Sequence, residues 1–144
     1  MIRPAYSDDI EQLAGLLAEL FEIEDDFVID RKNQLRGLQL LLENPDALVL
    51  VAEINGKIIG MASLQRLIST AAGEYVGLIE DVVVTHSFRG QGIGSKLLES
   101  IFAEADARGY ARLALGADLR NTKAIGFYKR FGFSASNMGL MYRS

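Results

Sequence analysis

The stretch Leu78-Ile-Glu-Asp-Val-Val-Val-Thr-His-Ser-Phe-Arg-Gly-Gln-Gly-Ile-Gly94 decides how this chain is read. Residues 78–84 are apolar and rich in β-branched side chains apart from Glu80 and Asp81, the composition of a strand buried on both faces, so the two acids are unusual there. Immediately after the strand, Arg89-Gly90-Gln91-Gly92-Ile93-Gly94 sets glycines at alternate positions as an amphipathic run over 93–108 begins. Such a turn can aim the backbone N–H groups from Gly90 to Ser95 at one anion. A helix N-terminus adds roughly half a positive charge and Arg89 a forked donor, so a pyrophosphate is the guest this arrangement favours. Other nucleotide-binding turns do not fit. A P-loop needs Lys and Ser/Thr after its last glycine, and a dinucleotide turn needs its third glycine one residue further on, where Ser95 stands.

Working outward toward the N-terminus, the chain alternates in period. Residues 1–5 suit a short strand, 6–9 a turn with Ser7 or Asp8 placed to cap a helix over 9–21, and Ile10, Leu13, Leu16, Leu17 and Leu20 form its buried stripe. Residues 22–26 hold four acids, Glu22, Glu24, Asp25 and Asp26, before a second amphipathic run over 31–42. They read as a solvated loop or as an acidic lip on a binding site. Residues 47–54 and 57–67 flank Asn55-Gly56, the preferred pair for a type I′ hairpin, and a small-residue loop over 68–74 leads into the central strand over 75–84.

Toward the C-terminus, Gly109 suits a helix C-cap, 111–117 a strand, Asn121 an N-cap and 122–130 a short helix closed by Phe131-Gly132-Phe133. A last strand is expected over 138–143. The order βααβββαβαβ describes an α/β (α+β) chain, with residues 1–144 as one domain.

Composition narrows the function. With 49% hydrophobic and 24% charged residues the balance is that of a soluble globular domain. There is no cysteine, so no disulfide framework or thiol nucleophile is available, which suits a reducing compartment. The N-terminus lacks the apolar core of a signal peptide and no run approaches a membrane span, so a cytoplasmic location is expected. A net charge of −4 and a pI near 5.0 argue against general nucleic-acid binding.

The loop from Arg89 to Gly94 resembles the acetyl-CoA loop of the GNAT family of N-acetyltransferases, which reads Arg/Gln-x-x-Gly-x-Gly/Ala. A second element of that family, an Asn, then an Ala, then Phe-Tyr and Gly-Phe, stands here as Asn121, Ala124, Phe127-Tyr128 and Gly132-Phe133. The resemblance is firm from Gly56 to Phe133 and weaker toward the N-terminus. It implies a mixed sheet of six to seven strands flanked by about four helices, in which the strand ending at Val84 and the strand over 111–117 run parallel and splay apart. The gap would take acetyl-CoA, with Val82, Val83, Val84 and Asn121 along the pantetheine arm and Arg89, Gly90, Gln91, Gly92, Ile93, Gly94 and Ser95 at the pyrophosphate. No metal is expected.

Acyl transfer from a thioester to an amine needs a neutral amine, donors for the developing oxyanion and a proton for the leaving thiolate. Backbone N–H groups around Val82 and Val83 are candidates for the oxyanion. Tyr128, at the family's spacing from Asn121, is the candidate acid. Glu80 is the leading base, since a carboxylate in an apolar strand should titrate high, whereas alternation should turn Asp81 to the opposite face. Many members of the family carry their glutamate at the position of Leu78, so Asp81, His86 and water stay open as bases. His86, the only histidine, reads as a surface residue, and Phe127, Phe131 and Phe133 as core.

The acceptor expected is a small primary amine. A protein Nα-amine or lysine, or a non-catalytic acetyl-CoA-binding module, are the alternatives, and a homodimer is open. A phosphorylated acceptor would instead call on Arg31, Lys32 or Arg66.

Overall fold

The computed structural model describes residues 1–24 and 28–144. Strand β1 (Ile2–Pro4) passes through a 3₁₀ turn at Ser7–Asp9 into helix α1 (Ile10–Ile23) and then α2 (Arg31–Glu43). Strands β2 (Leu48–Ile54), β3 (Lys57–Ser69) and β4 (Glu74–Val84) follow, then helix α3 (Ile93–Ala107), strand β5 (Leu113–Leu115) and helix α4 (Thr122–Arg130). The strands form one sheet in the order β1-β2-β3-β4-β5, antiparallel except for the parallel pair β4 and β5.

The hydrophobic stripes decide which helix covers which face. Leu13, Leu16 and Leu17 of α1 and Leu38 of α2 bury themselves on Val49, Val51, Met61 and Val83, while Leu97, Leu98 and Ile101 of α3 cover Leu50, Ile59, Leu64 and Ile79 on the other face. Full burial of one such side chain is worth about 1.5–3 kcal/mol, and coverage of both faces explains why the inner strands read as continuous apolar runs. Asn55 and Gly56 take φ of 51° and 78°, the two positive values that a type I′ hairpin requires.

Helix α1 begins differently from expectation. Neither Ser7 nor Asp8 caps it. The Asp9 carboxylate instead accepts the Tyr6 N–H at 2.7 Å and two guanidinium bonds from Arg3 at 2.8 and 3.1 Å, and Arg3 Nε donates to Glu53 at 2.8 Å. The Arg3 guanidinium holds the Asp9 carboxyl below the usual carboxylate range. One arginine thereby ties β1, the entry to α1 and β2 together.

The strand count is five among the described residues, not six to seven, because no strand forms over 138–143 or at Phe133. Strand β5 is only Leu113–Leu115, shorter than the expected 111–117, so its outer edge gives a further strand three residues to pair with. Met138, Leu140, Met141 and Tyr142 remain exposed.

The central strand carries a second departure. Met61 pairs with Val83 and Ser63 with Glu80, so Ala62 alone faces two residues, Asp81 and Val82. Asp81 is the extra residue of a β-bulge, with φ of 55°, a left-handed backbone that Asp tolerates better than most side chains.

Candidate active site

The β4–β5 pairing ends early. Gly77, Leu78 and Ile79 pair with Leu113, Ala114 and Leu115, after which β4 runs on to Val84 with no strand on that edge among the described residues. The strand edge carrying Val82, Val83 and Val84 is thus unpaired on the β5 side, where a ligand amide can take the place of the missing ladder partner. The bulge lies at the point of separation and increases the local twist.

The glycine turn completes this side. Gly90 and Gly92 have φ of 76° and 81°, and nothing stands within 4 Å of where a Cβ would be at either. Gly92 is the N-cap of α3, with no side chain capping the helix and no acid in its first turn. The N–H groups of Ile93, Gly94 and Ser95 begin that turn, and Gln91 lies exposed in the loop before it. Gly94 has a different task, since a Cβ there would lie 3.5 Å from Phe127 of α4.

Arg89 is exposed and bonds back to the end of β4. Its Nε donates to the Val84 carbonyl at 2.8 Å and its guanidinium lies 3.9 Å from Glu19. Glu19 also accepts from the Thr85 hydroxyl at 2.8 Å and the His86 N–H at 3.1 Å, so one acid on α1 fastens the start of the loop. No local sequence signal marks Glu19 for this, because it stands 66 residues from Thr85. His86 is exposed, as expected of a surface histidine.

Asn121 caps α4 as expected, its side-chain oxygen accepting the Ala124 N–H at 3.1 Å. Tyr128 is half-buried, 5.3 Å from the Phe127 ring and 6.1 Å from the Phe133 ring, and these aromatics pack against the core below α3. Burial pushes the Tyr128 phenol up to about 12, and the negative charge of Glu24 adds to the rise.

On the other face of β4, an open cleft of about 640 Å³ lies between the end of α1, helix α2 and the bulge. Glu80 and Asp81 both line it. The expected division of the two acids between opposite faces fails because the bulge breaks the alternation at that step. Their environments then differ from expectation. Glu80 is exposed and accepts from Gln65 Nε2 at 3.3 Å, whereas burial pushes the Asp81 carboxyl up to about 6, with the charges of Glu80 and Glu24 adding. Desolvation, the argument that favoured Glu80 as base, applies here to Asp81.

The acidic segment over 22–26 is described only in part. Glu24 acts electrostatically on both Asp81 and Tyr128, while Asp25 and Asp26 lie outside the described residues. Asp30, the N-cap of α2, and Gln34 in its first turn also line the cleft, and local sequence marks neither as a site residue. Gln34 left a trace in the sequence, a polar residue one helical repeat before Leu38 on the buried stripe. The basic candidates lie elsewhere: Arg31 pairs with Glu11, Arg66 pairs with Asp46 at 2.9 Å and stacks over Tyr75, and neither these two nor Lys32 lines the cleft. Among the described residues no group of three or more acids or histidines converges to hold a metal ion.

A parallel strand pair that splays beside an uncapped helix N-terminus, with acids at the bulge behind it, is the architecture of an N-acetyltransferase. The model of the Acetyltransferase (GNAT) family matches residues 11–133, and the chain belongs to that family. It is 30% identical over 136 residues to the aminoalkylphosphonate N-acetyltransferase of Salmonella typhimurium, spanning 94% of this chain and 86% of that protein. It is 32% identical over 142 residues to the thialysine N-epsilon-acetyltransferase of Sus scrofa, spanning 92% and 82%. A crystal structure of a "predicted acetyltransferase with acetyl-CoA" from Clostridium acetobutylicum superposes with a TM-score of 0.81 at 23% identity, covering 99% of this chain and 95% of that one.

Proposed function

We propose that the chain transfers the acetyl group of acetyl-CoA to the primary amine of a small molecule that enters the α2 cleft as a cation. The observation that carries this reading is the pair Glu80 and Asp81 on one wall of a cleft that, among the described residues, no lysine or arginine lines. Acidic walls raise the local concentration of a cationic substrate and repel a phosphorylated one.

The residues on the far side of β4 fit the co-substrate. The open space over Gly90 and Gly92 and the uncapped start of α3 suit a pyrophosphate, and the unpaired edge at Val82, Val83 and Val84 suits an amide-bearing arm. The thioester supplies the activated acetyl carbonyl. The backbone N–H of Val82, on the open edge, stabilises charge on its oxygen, while that of Val83 faces β3; Asn121 holds the start of α4 in place, and Arg89 braces the Val84 carbonyl.

Asp81 receives the proton that the ammonium must lose, because a carboxylate at about 6 is a stronger base than an ordinary one yet is still ionised at neutral pH. Glu80, held by Gln65, keeps the ammonium end on the strand. The amine nitrogen then bonds to the acetyl carbon as the carbon–sulfur bond breaks. Tyr128, protonated throughout the neutral range, gives the departing sulfur its proton and recovers one from the nitrogen. The ammonium proton passes from Asp81 to solvent, so each turnover yields one amide, one thiol and one proton.

A panel of small amines assayed for release of free thiol from acetyl-CoA tests this directly. Cationic amines without phosphate should be acetylated with product mass raised by one acetyl group, and the rate should fall as salt is added. A preference for phosphorylated amines, or no acetylation of any amine by protein that binds acetyl-CoA, contradicts the reading.

A further inference from the structure

The cleft beside the bulge is divided by character. Glu80, Asp81 and Gln65 make its end on the sheet polar. Opposite them, between the polar ends of α2, the lining is apolar: Leu40 and Leu41 from α2, Phe21 from α1 and Val28 from the segment before α2. Leu40 is 62% exposed and Val28 88%, so this side of the cleft presents apolar surface to an occupant.

A gap interrupts that wall. Gly37 stands in the interior of α2 and lines the cleft, as do Asn33 and Leu40, its neighbours one turn before and one turn after. The missing side chain leaves a notch between them. A Cβ built at Gly37 meets nothing within 4 Å, and its backbone is ordinary right-handed helix, so neither crowding nor a left-handed turn calls for glycine. Glycine is a poor helix former, and alanine would hold α2 better. What glycine supplies here is room on the cleft wall. Gly15 of α1 is equally unhindered and lines no part of the cleft, which makes it a control.

An occupant that uses both ends of the cleft is amphipathic. A cationic nitrogen meets Glu80 and Asp81, while the rest of the molecule lies along α2. Asp30 is the one charged side chain on that wall among the described residues, and it caps α2 by accepting the Asn33 N–H at 3.2 Å. A charged body would lose water there without a free partner, whereas an apolar body gains by leaving water.

We propose that the acceptor is a primary amine with an apolar body, an aryl or branched alkyl group, which seats in the notch at Gly37 against Leu40, Leu41 and Phe21 while Glu80 and Asp81 hold the ammonium end. This inference rests on the reading of the cleft as the acceptor site, and makes Gly37 the residue that sets how large a body the site accepts.

The experiment compares ethylamine, phenethylamine and an alkyl diamine with acetyl-CoA in excess. Both monoamines are protonated at neutral pH, so the acids do not tell them apart. For the unaltered protein kcat/KM should be about 10- to 100-fold higher for phenethylamine than for ethylamine, with the diamine close to ethylamine. Gly37→Leu places a good helix former in open space, so its melting temperature should not fall. It should raise KM for phenethylamine by at least about tenfold and leave kcat/KM for ethylamine within about twofold. Gly37→Ala should fall between, and Gly15→Leu should change neither amine. Equal kcat/KM for the two monoamines with the unaltered protein overturns the proposal, as does a preference for the diamine. A preference for phenethylamine that survives or grows in Gly37→Leu, or that is lost equally in Gly15→Leu, overturns it as well. If no amine is acetylated by any variant while acetyl-CoA still raises the melting temperature, the acceptor-site reading itself falls, a result distinct from acetylation without preference.

Discussion

The two sides of β4 are built by different means. On the α3 side the proposed binding groups are backbone N–H groups, exposed by two glycines with positive φ and by a strand that outruns its neighbour. On the α2 side the proposed groups are side chains, Glu80 and Asp81, in a cleft whose other wall comes from α2, far away in sequence. A backbone site recognises what does not vary, such as a phosphate or an amide, whereas a side-chain site can be changed one residue at a time. The relatives named above share the domain yet bear the names of different acceptors, aminoalkylphosphonate and thialysine. That is the pattern expected when one side of the strand is fixed by geometry and the other is free to vary.

Substitutions on the two sides should therefore fail in different ways. The largest effect is expected from Asp81→Asn, which keeps a residue tolerant of the left-handed bulge and removes only the charge. Steady-state kinetics should show kcat/KM lower by about 10²–10⁴-fold at neutral pH with acetyl-CoA affinity kept. A loss of acetyl-CoA affinity of similar size would erase the distinction between the sides. Gly92→Val should do the reverse. A β-branched side chain in the left-handed N-cap would fill the space above α3 and strain the turn by about 1–3 kcal/mol, so calorimetry should find acetyl-CoA binding weaker by at least about tenfold. Amine binding measured alone should be unaffected.

The smallest effect concerns stability. The folded-state value of Asp81, about 6, lies above the unfolded value near 3.9, so the native protein retains a proton that the unfolded chain releases between those limits. Asp81 therefore contributes a loss of stability as pH rises from about 4 to about 6, and the loss persists at neutral pH. Asp81→Asn should be more stable than the unaltered protein at pH 7 by about 1–2 kcal/mol, after discounting for solvent at the cleft mouth, and the gain should vanish near pH 4. Urea titrations at the two pH values measure it. The site would then trade stability for a base.

The backbone side was legible in the sequence because its signals are local. Alternating glycines, a strand before them and an amphipathic run after them occupy one continuous stretch, and Asn121 sits at the N-cap where it was expected. The α2 side was hardly legible. The bulge depends on the pairing of β4 with β3, and nothing within residues 78–84 says that Ala62 will face two residues rather than one. Strict alternation therefore sent Asp81 to the wrong face and gave the buried-acid argument to Glu80. Gln34 is a polar residue on an apolar stripe, and nothing local places it in a cleft with the acids of β4. The missing last strand has a similar cause, since whether 138–143 pairs depends on how much edge β5 offers and not on its own residues.

The central claim is that Asp81, displaced by the bulge into the acceptor cleft, takes the proton from the amine. The pH dependence of kcat/KM for one non-phosphorylated amine, followed from pH 5 upward, tests it most directly. The account predicts an acidic limb with a midpoint near 6 in the unaltered protein and its absence in Asp81→Asn, whose residual rate should rise only with the fraction of free amine. The same limb in both proteins would contradict it.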